Sequence, residues 1–275
     1  MSVDTRPHRP RRPAAAPSHR RLTGAALTAL AALAAVTGCA GPTRSPDPTG
    51  TPAPAIAQNA PAPTAAGGPE HPRYQTSPAL PQRLPGLGDR TVRRIPDDAR
   101  QVLVVTGTDR NASSATAVLH TRTAEGWQAG PTWPARNARD GWTTHHRADD
   151  LRTPIGVFTL TDAGGRRPDP GTDLPYDHSD AFTATGTGFN GESLAGSFDY
   201  VIAIDYNREP GTSPLDWTRP LGADRGGGIW LHVDHDGPTH GCIALSETHM
   251  KQLLRRLDPA KHPVIVMGDA ASLAR

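Results

Sequence analysis

The sequence predicts a mainly β domain with one clear helix. Three observations carry that reading. From Gln101 onward, short apolar runs rich in Val and Ile recur between clusters of Gly, Pro, Asp and Thr, the mark of strands joined by turns. A single stretch, after Ser246, places apolar residues at helical spacing. Prolines (29) and glycines (28) are abundant and aromatics make up only 5%, a composition that favours turns yet leaves enough apolar residues for a core.

The elements follow in chain order. Residues 6–21 are Arg-rich and precede an apolar run from Leu22 to Val36, mostly Ala and Leu. That run is short for a membrane span and right for the core of a signal peptide. It ends Val36-Thr37-Gly38-Cys39, small residues before a cysteine, which resembles a bacterial lipobox. In that reading residues 1–38 are a lipoprotein signal peptide and Cys39 carries a lipid that holds the protein to the outer face of the cell membrane. Arg20-Arg21-Leu22 also admits a twin-arginine export signal. Residues 1–38 hold six Arg and one Asp, a net of +5 against +2 for the whole chain, so the body is mildly acidic. That balance gives no reason to expect nucleic acid as a partner. Residues 39–95, rich in Pro, Ala, Thr and Gly, read as a largely disordered tether.

The domain is expected over 96–270. Gln101–Thr106 is a strand signal bounded by Gly107, and Ala115–Thr123 with Gly126-Trp127 is a hairpin signal. Further strands are expected at Gly156–Leu160, Tyr200–Tyr206, Gly228–Val233 and Pro263–Met267, with a long irregular excursion over 164–197. The helix has Ser246 as N-cap and Met250, Leu253, Leu254 and Leu257 on one face, with Pro259 as its stop.

The chemistry concentrates in Thr239-His240-Gly241-Cys242-Ile243-Ala244-Leu245. Cys39 and Cys242 are the two cysteines. If Cys39 is lipidated, Cys242 is a lone thiol, and outside the cytoplasm such a thiol is open to oxidation unless its reactivity is used. A position just ahead of a helix is expected to favour the thiolate, and Gly241 permits close approach of backbone to substrate. The base is expected from His232, at a strand end, with His240 and His235 as alternatives. A metal reading can be drawn from His232, Asp234, His235, Asp236, His240 and Cys242, but their spacing matches no familiar ligand pattern. Tyr206, Asn207 and Arg208 follow a strand and are candidates for lining a cleft or binding a substrate carboxylate. The five tryptophans are expected in the core or a cleft wall, and His145-His146 in solvent.

His232 followed by Thr239-His240-Gly241-Cys242-Ile243 resembles the core motif of the L,D-transpeptidase (YkuD-domain) family. Thr153-Pro154-Ile155-Gly156-Val157-Phe158 is similar to that family's Thr-Pro-x-Gly-x-Phe segment, and the resemblance spans roughly residues 100–268. It implies a β-sandwich or barrel fold and peptidoglycan stem peptides as substrate. It implies Cys242 as nucleophile and His232 as proton acceptor and donor, with His240 and Gly241 beside them and Thr239 on the substrate side. It implies no metal and no cofactor. Two departures stand out: the histidine-to-cysteine gap, ten residues, is shorter than in familiar members, and Ala244 replaces an Arg. A hydrolase on the same fold and a non-catalytic wall-binding lipoprotein are the rival expectations.

Overall fold

The computed structural model describes residues 79–275. The expected signal peptide, the lipobox with Cys39 and the tether as far as residue 78 lie outside the described residues. Among the described residues no helix is long and apolar enough to cross a membrane.

The described residues form strands β1 (Gln101–Gly107), β2 (Ser114–Thr123), β3 (Gly126–Arg136), β4 (Trp142–Thr143), β5 (Thr153–Pro154), β6 (Gly156–Thr159), β7 (Ala163–Gly165), β8 (Tyr176–His178), β9 (Val201–Ala203), β10 (Trp230–Val233), β11 (Ile243–Leu245) and β12 (Val264–Asp269). Ten of them make one sheet in the order β6-β12-β1-β2-β3-β11-β10-β9-β7-β8, and β4 pairs with β5 separately. Leu103, Ala117, Trp133, Ile202, Leu231, Ile243 and Ile265, from seven strands spread along this order, share one core cluster. The sheet therefore curls around its own inner face, and the mainly β expectation holds.

Alternation along the strands creates two further layers. Leu103 and Val105 point into the main core, whereas Val102 and Val104 face a second cluster with Val264, Val266, Trp127 and Leu273. Leu84 and Leu87 are buried in that second cluster, ahead of and beside the short helix α1 (Asp89–Val92). Packed chain thus begins before residue 96, because two leucines in the Pro-rich stretch find an apolar sheet face to cover. On β9 and β10, Ile202 and Leu231 point inward, while Val201, Ala203 and Trp230 form a third cluster against which Cys242 packs.

Helix α2 (Glu247–Leu254) is capped by the Ser246 side chain, which accepts from His249 N at 3.3 Å. Met250, Leu253, Leu254 and Leu257 are all fully buried in the main core. Burial of each stabilises by about 1.5–3 kcal/mol. The helix ends before the expected stop. Pro259 instead opens a single turn, Pro259–Lys261, capped by Asp258. The strand expected over Tyr200–Tyr206 shortens to β9, because the chain turns at Tyr206, whose N–H bonds Ile204 O, and Asn207 adopts φ 47°.

Candidate active site

The register of β10 and β11 assembles the candidate groups. The two strands run parallel, with Leu231 opposite Ile243 and His232 opposite Ala244. Leu231 and Ile243 face the main core, so alternation turns Trp230, His232, Cys242 and Ala244 to the other face. Ala244 is fully buried there, so the position where familiar relatives carry Arg accommodates only a small side chain.

The Cys242 sulfur accepts from Trp230 N at 3.4 Å and donates to Gly228 O at 3.6 Å. Burial pushes this thiol up to about 11, against a smaller opposing effect of the Trp230 amide. The expected help from a helix is missing. Cys242 leads into β11, and α2 begins five residues further on, whereas dipole effects fade within the first turn. The resting thiol is therefore protonated.

His232 is buried, with Nδ1 2.8 Å from the Val233 carbonyl oxygen. A carbonyl only accepts, so Nδ1 carries the proton and Nε2 is the free lone pair. Burial is the largest effect on its basicity and lowers the imidazole to about 4. Phe198 meets the ring edge-on at 5.6 Å and His235 stacks on it at 5.8 Å. His235 is itself engaged by Glu192 at 3.1 Å. Among the described residues no histidine nitrogen is hydrogen-bonded to the sulfur. His232 lies opposite Ala244, two residues past Cys242, and faces the same side of the sheet with no hydrogen bond to the sulfur.

The other expected site residues have definite places. Thr239 is buried, and its hydroxyl donates to the Cys242 carbonyl at 2.7 Å, bracing the loop that carries the thiol. At Gly241 a Cβ would stand 2.9 Å from Ile229 Cδ1, so a side chain there would require the isoleucine tip to shift. His240 is exposed and lies against Phe189, ring centroids 4.5 Å apart. The side chains of Tyr206, Asn207 and Arg208 are engaged within the protein. The Tyr206 hydroxyl donates to Arg225 O at 2.9 Å. The Asn207 amide donates to Gly222 O and Gly226 O and accepts from Leu221 N, pinning the loop over 221–226. Arg208 is buried between Asp162, at 2.9 Å, and Asp205, a closed ion cluster without room for a ligand carboxylate. Asp234, a residue of the metal reading, pairs with Arg136 at 3.0 Å.

A cleft of about 450 Å³ opens at Cys242, with Gly241, His240, His146, Trp217 and Arg219 among its walls. A larger recess of about 730 Å³, around Arg166, Asp180 and Glu247, contains no nucleophile. Two walls of the Cys242 cleft escape the sequence reading. His146 is 5% exposed rather than solvated, and its Nδ1 stands 2.9 Å from Asp150 Oδ1, off the line of a hydrogen bond. Its loop is drawn in by the Ala138–Thr239 bridge and by Arg139 N donating to Thr239 O at 2.9 Å. Of the tryptophans, four are buried, but Trp217 is 69% exposed at the mouth of the cleft. No local pattern marks either residue, because long-range contacts bring them there.

No curated protein matches the sequence. The solved structure of Bdellovibrio bacteriovorus Bd1075 is similar at 18% identity over 62% of this chain and 48% of that one, with a TM-score of 0.37. This chain thus spans about half the length of that relative. The model of the YkuD L,D-transpeptidase catalytic domain matches residues 87–266; over that span, with its curled sheet and its Gly-Cys turn beside a strand-end histidine, the chain belongs to the YkuD family of L,D-transpeptidase catalytic domains.

Proposed function

We propose that the protein is a peptidoglycan L,D-transpeptidase working through a Cys242 thioester. The observation that carries the reading is the pairing of one thiol with one imidazole on a single sheet face. Cys242 opens to the cleft, and His232 has Nδ1–H fixed on Val233 O with Nε2 left as acceptor. Both groups rest neutral, so the reaction begins with proton transfer rather than from a stored thiolate. Nε2 takes the thiol proton as sulfur attacks the stem-peptide carbonyl next to the terminal D-residue. The amides of Gly241 and Cys242, which donate to no turn or loop partner among the described residues, are the donors this reading assigns to the oxyanion. Collapse breaks the C–N bond, and the His232 proton leaves with the D-residue amine. An acceptor amine then attacks the thioester, passes its proton to His232 and releases the thiol, leaving a 3→3 crosslink or an exchanged terminal residue. No step requires a metal or cofactor.

The same proposal places the protein outside the cytoplasm, anchored through a lipid on Cys39, on the strength of Val36-Thr37-Gly38-Cys39. Growth with labelled palmitate tests it: label is expected on the wild type and absent from Cys39→Ala.

Incubation with a disaccharide-tetrapeptide, read by mass, tests the chemistry. Dimer product or D-residue exchange is expected, abolished by Cys242→Ala. Tripeptide alone indicates hydrolysis with water as acceptor. No turnover and no covalent adduct on Cys242 indicates a non-catalytic wall-binding protein. Turnover that survives Cys242→Ala sinks the mechanism.

A further inference from the structure

Arg219 lines the Cys242 cleft and, among the described residues, is the one Arg or Lys in its walls. Its guanidinium stacks on the exposed Trp217 ring, 4.7 Å from the centroid. Among the described residues no carboxylate lies within ion-pair distance of it. Nη1 donates to the neighbouring Thr218 carbonyl at 3.2 Å, and the remaining donors have no protein partner among the described residues. A planar cation held flat on an aromatic face, with donors unclaimed beside a nucleophile, is arranged to receive a carboxylate.

The floor beneath it is built for this seat. Gly226, Gly227 and Gly228 have φ of 66°, 144° and 65°. A Cβ on Gly227 would stand 2.2 Å from Arg219 Nε, and one on Gly228 would stand 3.4 Å from both Arg219 Nη2 and the Trp217 ring. Gly228 also presents the carbonyl that the Cys242 thiol contacts, at 3.6 Å. A side chain at Gly228 would thus abut the guanidinium, and the same residue's carbonyl faces the Cys242 sulfur. The guanidinium and the thiol line the same cleft, so a group next to the scissile carbonyl has a cation within that cleft to meet. Among the described residues Asp149 is the one Asp or Glu on the cleft wall, so these walls carry little net charge and discrimination rests on direct contact.

We infer that Arg219, stacked on Trp217, is the subsite that binds the free carboxylate of the donor's terminal residue and so sets the preference for a carboxylate-ended donor. The inference rests on the acyl-transfer reading of Cys242, and the experiment separates the two.

Two donors are compared in the full chain: a disaccharide-tetrapeptide with a free C-terminal carboxylate and the same molecule as its carboxamide. Binding is measured by calorimetry on Cys242→Ala, and kcat and KM on the chain with Cys242 intact. The acid is expected to bind roughly tenfold or more tightly than the amide. Arg219→Gln is expected to erase that preference by raising KM for the acid alone, with Arg219→Lys restoring part of it. Trp217→Ala, at an exposed position, is expected to weaken the acid only. Equal binding of acid and amide, no binding of the acid, or a preference that persists in Arg219→Gln overturns the Arg219 subsite. Turnover with that preference intact in Arg219→Gln leaves the Cys242 mechanism standing, whereas Arg219-dependent binding without acylation of Cys242 overturns the mechanism alone.

Discussion

Cys242 has two hydrogen-bond partners, Trp230 N and Gly228 O, and neither is a base. With its thiol raised to about 11 and His232 lowered to about 4, the free enzyme holds little thiolate at neutral pH. Alkylation of Cys242 by iodoacetamide is thus expected to rise about tenfold per pH unit from pH 7 to pH 10. A plateau below pH 8 would show an ion pair instead. Catalysis follows a different profile. In the proposed mechanism His232 accepts protons wherever it is neutral, which holds above about 4, so kcat/KM is expected to stay nearly level from about pH 5.5 to 9. His232→Gln is expected to lower kcat by roughly 10²–10⁴-fold; an unchanged rate points to another base. The identities of Cys242, Gly241 and His232 were legible in the sequence. Their protonation states were not, because burial decides them and burial is a property of the packed sheet.

Two loops decide what surrounds those residues. The stretch over 221–228 hangs on Asn207, which makes three hydrogen bonds to it. Asn207→Ala is expected to cost about 1–3 kcal/mol in urea unfolding and to raise KM for the donor, since the glycine floor loosens; unchanged stability counts against this role. The helix was the most legible element. Its apolar spacing and its Ser246 cap are readable one turn at a time, and Ser246→Ala is expected to lower stability by about 1 kcal/mol. The loop carrying His146 was illegible for the opposite reason. It enters the cleft through a bridge between Ala138 and Thr239, residues about a hundred positions apart. Tyr206, Asn207 and Arg208 show the same limit: their polar character was plain, but whether it met substrate or backbone depended on partners distant in the chain.

At the scale of the whole molecule, the second apolar cluster extends the domain toward its N-terminal side. Leu84 and Leu87 are 4% and 8% exposed against Val102, Val104 and Val266. A fragment over 96–275 is expected to melt roughly 10 °C below one over 79–275, since it loses two buried leucines and exposes the sheet face they cover. Equal melting temperatures argue that the segment adds no stability. Acid affects the whole fold as well. His232, lowered by burial from 6.5 to about 4, binds fewer protons folded than unfolded between those values. Stability therefore falls as pH drops through that window, by about 3 kcal/mol in total, and His120 and His146 are lowered by burial in the same direction. Urea midpoints are expected to drop between pH 7.5 and 4.5, and the drop is expected to narrow in His232→Asn; an identical drop in the variant refutes the assignment.

The sequence by itself determined the mainly β class, the helix after Ser246, and a Gly-Cys turn following a strand-end histidine, because strand alternation, helical period and a short motif are all local patterns. Only the tertiary structure decided that Cys242 and His232 share a sheet face, that both rest neutral, and that Trp217 and Arg219 lie over a glycine floor beside the sulfur. Register, burial and loop closure set those facts, and each depends on residues far apart in the chain.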